Sequence, residues 1–173
     1  MITFLNGFGA LVGVTLLLAI GGGYLTPGVI DLNTHVLIGL VGALGGILCL
    51  SLVMFYFIGT GSVAKKAAIA SLLSPEEYRR TRKMKGVLFP ILMGGVAVLM
   101  VTPMLGAGYH AGKMELTWHH AMAWLSLVAT LGALWKARGM MTENRVIFDK
   151  SLTAVNEEAE RRQQTGEEPM DLN

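Results

Sequence analysis

Residues 33–61, NTHVLIGLVGALGGILCLSLVMFYFIGTG, contain no charged side chain, open on a histidine at 35 and carry glycine at 39, 42, 45, 46, 59 and 61. A run of this kind is too long and too apolar for a buried helix of a soluble domain. About 20 helical residues at about 1.5 Å each cover the roughly 30 Å of a hydrocarbon core, so the stretch reads as a membrane-spanning helix. The rest of the chain has the same texture. Of its 173 residues 53% are hydrophobic and only 15% charged, and the charges cluster. Residues 1–30, 32–64, 86–112 and 116–135 contain none.

These gaps predict an all-α integral membrane protein, a four-helix transmembrane bundle with spans near 3–22, 35–58, 88–107 and 118–136. Residues 1–138 form the transmembrane domain on this reading, and residues 139–173 form a helical tail. The first span has no Lys or Arg ahead of its apolar run and no cleavage signal, so it is expected to be a retained helix. Cys49, the one cysteine, excludes an internal disulfide.

Threading follows from the basic residues. Seven of the fourteen Lys and Arg lie between the second and third spans (Lys65, Lys66, Arg79, Arg80, Arg82, Lys83, Lys85), and six follow the fourth (Lys136, Arg138, Arg145, Lys150, Arg161, Arg162). Only Lys113 falls on the other side. Positive charge resists translocation, so both termini are expected in the cytoplasm, with the chain in a bacterial inner membrane. Anionic lipid accounts for the basic excess without a nucleic-acid partner.

In the inner connection, SLLSPEEYRRTRKMKG at 71–86, Ser74 and Glu77 are spaced as a capping box with Pro75 at the first helical position. A short basic helix is expected from there to Gly86, and Pro90 marks the first turn of the third span or a bend. In the tail, Met141, Phe148 and Val155, with Arg145, Leu152 and Ala159 in the complementary places, approximate a heptad seam. That seam would pack on the inner connection, on a neighbouring subunit, or extend freely from the fourth span. The end, TGEEPMDLN, reads as a disordered acidic tip. Tyr24, Tyr109 and Trp118 would anchor the outer interface, and Tyr56 and Trp135 the inner one.

All four histidines, His35, His110, His119 and His120, map to the outer edge. Residues three and four apart share a helix face, which puts Gly39, Gly42, Gly46 and Cys49 below His35, and Met122, Ser126, Ala129 and Ala133 below His119. Small residues mark helix contact, so His35 and His119 are expected to face inward and His120 less so. Thr34 and Thr117 are the expected helix caps. Histidines in first turns are held neutral by the positive helix end, and neutral imidazole binds metal or haem iron.

Three readings follow. In the first, His35 and His119 hold one b-type haem near the outer face of an electron-transfer subunit, with His120 the substitute ligand. The three glycines admit the macrocycle, and electrons arrive from quinone-type carriers or a neighbouring subunit. In the second, the chain is a cofactor-free assembly subunit whose glycine face packs on a partner helix, in a homo-oligomer or a larger complex. In the third, His35, His110, His119 and His120 hold copper or zinc at the rim. No span contains an ionisable Asp, Glu, Lys or Arg, which weighs against a proton pump or ion-coupled transporter. No motif of a hydrolase or kinase is present, so no catalytic residue and no enzyme activity of its own is expected.

Overall fold

The computed structural model describes residues 2–26 and 28–168. Four helices account for nearly all of them: α1 (Ile2–Leu25), α2 (Leu32–Ile69), α3 (Pro75–His110) and α4 (Leu116–Thr165). No strand occurs among the described residues. α1, α2 and α3 are long and apolar enough to cross a membrane. The apolar part of α4 is diluted by Trp118, His119, His120, Ser126, Thr130 and Trp135, and α4 is not among the helices that qualify by length and composition.

The helices run further than the spans expected from sequence. α3 is continuous from the capping box to His110, with Pro90 and Pro103 inside it and no break at Gly86. Proline at 90 removes the donor for the carbonyl of residue 86 and pushes its ring toward that turn, where Gly86 has no side chain to meet it. Near Pro103, the Thr102 hydroxyl donates toward the Val98 carbonyl (2.9 Å) and the Met122 carbonyl of α4 (3.2 Å). The second of these bonds joins α3 to α4 one residue before the proline.

The chain divides into two compact units: Met1–Met54 with Leu88–Arg138, and Phe55–Val87 with Gly139–Asn173. The first unit packs through small residues. A Cβ on Gly42 would lie 3.1 Å from Leu16 Cδ2 of α1, and one on Gly46 would lie 2.8 Å from Leu99 Cδ1 of α3. Leu50, Leu92 and Leu99 are fully enclosed, while Leu37, Leu44, Met93 and Val128 are exposed. Large apolar groups outside and small ones at helix contacts are the pattern of a bundle in lipid.

The second unit joins the end of α2, the start of α3 and the tail of α4. The Ser74 and Glu77 capping box forms, with Glu77 N–H donating to Ser74 Oγ (3.3 Å) and Ser74 N–H to Glu77 Oε2 (3.3 Å). α2 closes through Ser71, which holds a φ of 58°, a region usually left to glycine. The tail is both an extension of α4 and packed on its own chain. Asn144 Nδ2 donates to Thr60 Oγ1 (2.7 Å), Tyr56 OH donates to the Met141 carbonyl (3.3 Å), and Lys150 pairs with Glu77 (2.6 Å).

Two expectations are corrected here. The buried face of the tail is Met141, Asn144, Ile147 and Ser151, while Arg145 and Leu152 are exposed, because two polar residues occupy the seam and are satisfied there. Tyr56 is buried as well, so it is a core residue of this unit and not an interface anchor. Of the acidic tip, residues 169–173 lie outside the described residues. Glu167 and Glu168 turn back onto Arg161 and Arg162.

Acid should loosen this unit. Lys150 and Ser74 hold the Glu77 carboxyl below the usual glutamate value, and Arg161 and Arg162 draw Glu158 from 4.5 down to about 2. A carboxyl lowered in the folded state contributes fully above the unfolded value and loses its contribution as pH falls through the folded one. Helical circular dichroism should therefore decline between about pH 4.5 and 2, and Glu158→Gln should flatten part of that decline.

Candidate functional site: a histidine-lined cavity

α2 starts at Leu32, capped by Asp31 and not by Thr34. Asp31 Oδ1 accepts from Thr34 N–H (3.0 Å) and Oδ2 from the Thr34 hydroxyl (2.6 Å). α4 starts at Leu116, so Thr117 is inside the helix. His35 and His119 are each the fourth residue of their helix, at the end of its first turn. Both rings are half-buried.

The end of the first unit where α1 and α3 finish and α2 and α4 begin encloses a cavity of about 560 Å³. His35, His110, His119 and His120 all line it, and the walls are otherwise mainly apolar, with Leu16, Ile20, Val36 and Leu99 among them. No Asp, Glu, Lys or Arg contributes to the lining. A volume in the range of roughly 300–1,000 Å³ with few polar groups is typical of a small-molecule or cofactor site.

Two histidines are seated on glycines of neighbouring helices. A Cβ on Gly23 of α1 would lie 3.1 Å from His35 Cε1, and one on Gly106 of α3 would lie 2.9 Å from His119 Cε1. The centroids of these two rings are 6.2 Å apart and their planes cross at 87°. His119 Nδ1 lies 3.1 Å from the Thr102 carbonyl oxygen. A carbonyl only accepts, so Nδ1 donates and Nε2 keeps its lone pair, the arrangement that orients an imidazole for a metal.

His120 also lines the cavity, although its helix face suggested a less inward position. Its ring is 4.4 Å from that of Tyr24 and 6.1 Å from that of His119. Tyr24 OH accepts from Trp124 Nε1 (3.2 Å), which ties α1 to α4 beside the ring. His35 Nδ1 and His120 Nε2 are buried without a hydrogen-bond partner. Buried polar atoms of this kind call for a ligand or water.

The three glycines below His35 do not act together. Gly39 lines the cavity and has open space at its Cβ position, whereas Gly42 and Gly46 are covered by α1 and α3 of the same chain. Gly23, Gly106 and the Thr102 carbonyl are the groups that sequence reasoning missed. The GGGY run at 21–24 and the GAGYH run at 106–110 lie at the histidine level and were the available signal.

Among the described residues no group of three or more His, Cys, Asp or Glu is arranged to hold a metal ion. The chain matches no family model, no curated protein and no solved structure.

Proposed function

We propose that the chain is a membrane electron-transfer subunit that carries one b-type haem in this cavity, ligated by His35 and His119. The observation that carries the reading is the 6.2 Å separation of the two rings inside an apolar chamber of about 560 Å³. Two imidazoles on opposite sides of one metal, each bonded at about 2 Å, have centroids on the order of 6 Å apart. The fixed Nδ1 of His119 and the open space over Gly39 support the same ligand. A bound haem supplies a one-electron couple tuned by its axial ligands and by burial. With no Lys or Arg on the walls to neutralise them, the two propionates belong at the aqueous mouth.

In this reading α4 is the fourth span and the Lys and Arg count sets the histidine end outward, with both termini cytoplasmic. The assembly alternative is weakened where it was most specific, since Gly42 and Gly46 are already covered within the chain. The rim-metal alternative lacks a three-ligand group among the described residues.

A reduced-minus-oxidised absorption spectrum of protein purified from cells supplied with haem tests the proposal. One b-type alpha band with a low-spin ferric signal is the expected result. A flat trace from folded protein removes the reading.

A further inference from the structure

From the cavity walls we infer that the electron donor to this site is a neutral, lipid-soluble quinol, and that His110 receives one of its protons. The inference rests on the haem reading above and deepens it.

Val36 and Leu40 of α2 both line the cavity and are each 43% exposed, and the walls around them are mainly apolar, which suits a carrier that dissolves in a bilayer. The aqueous end offers little to a soluble redox protein. Docking of such partners relies on complementary charge patches. The connections at this end, residues 26–31 and 111–115, carry only Asp31, Lys113 and Glu115. Asp31 is already engaged as the cap of α2. Nothing on the cavity lining bears a fixed charge, which suits a donor that is neutral in both redox states.

Oxidising a quinol releases two electrons and two protons, and one haem accepts one electron. One quinol therefore would reduce two ferric haems, one in each of two protomers, as both O–H bonds break and two protons leave. One proton needs a base at the mouth. His35 and His119 would hold the iron, and His120 is packed on Tyr24. His110 lines the cavity, is exposed at the last position of α3 and meets the Tyr109 ring edge-on. It takes one proton and passes it to water, and the other leaves at the exposed mouth directly.

The test uses purified ferric holoprotein in nanodiscs mixed with decylbenzoquinol, with haem reduction followed by stopped-flow absorbance. The quinol is expected to reduce the haem, with dithionite defining full reduction. In His110→Ala the rate should fall about a hundred-fold, as for loss of a general base, while the dithionite spectrum stays unchanged, and added imidazole should restore part of the rate. Reduction by dithionite but not by the quinol overturns the inference and leaves the haem reading intact. So does a charged soluble donor that reduces the haem faster than the quinol, with salt-dependent kinetics. Equal quinol rates in wild type and His110→Ala overturn the assignment of His110. Absence of any haem signal sinks the underlying reading instead.

Discussion

His35→Ala and His119→Ala should each lower the haem content of purified protein by at least about ten-fold, since even the outer-shell partners of a ligating histidine cost ten- to a hundred-fold. The two substitutions act on opposite sides of one chamber, on rings whose centroids are 6.2 Å apart. Any haem that remains in His35→Ala should be high-spin, with one ligand, whereas in His119→Ala a low-spin fraction would report His120 acting as the substitute ligand. Gly106→Val probes the same geometry without removing a ligand. A Cβ at 106 would sit 2.9 Å from His119 Cε1, so the ring has to tilt away from the Thr102 carbonyl that orients it. A partial loss of haem and a mixed-spin spectrum are expected there. Met104→Ala, on an exposed side chain, serves as the neutral comparison. Pyridine haemochrome assay per mole of protein decides the matter. Wild-type haem content in both histidine variants would refute the ligand assignment.

The bundle was legible because the physics that forms it is coarse. Long charge-free gaps meet the length that a bilayer demands, and the capping box at Ser74 and Glu77 depends only on two side chains three residues apart. Convergence of the four histidines at one end followed from counting charges on each side of the spans. The seats of the rings were not legible. Whether a glycine admits a neighbouring ring or a neighbouring leucine depends on the rotation and depth of a second helix, and no single-helix pattern encodes that. Gly42 and Gly46 thus met Leu16 and Leu99, while Gly23 and Gly106 met His35 and His119. The helix ends were misread for a related reason. Gly86 reads as the end of a short basic helix and Pro90 as a first turn or a bend, yet α3 runs through both, because an apolar helix tolerates proline where no side chain meets its ring.

The tail illustrates the same limit and gives a second large effect. Its seam could not be picked from hydrophobicity, because Asn144 and Ser151 occupy buried positions while Val146 and Leu152 lie outside. Neighbouring residues therefore make a sharp comparison. Ile147 is 7% exposed and Val146 is 68% exposed. Truncating a buried Ile to Ala typically costs about 2–5 kcal/mol, and Ile147→Asp adds an unpaired carboxylate that burial penalises further. That variant should release the tail from the Tyr56 and Thr60 face of α2. Val146→Asp should change stability by no more than about 0.5 kcal/mol. Trypsin reports the difference, since Arg145 and Lys150 flank the site and helical packing shields their peptide bonds. Ile147→Asp should be cut there at least about ten times faster than wild type, the change in local opening that 1.4 kcal/mol produces. Equal cleavage of the two aspartate variants would mean that the tail is not docked through this face. Residues 139–165 would then be a free extension of α4, and the Asn144 to Thr60 bond would have no role in holding it.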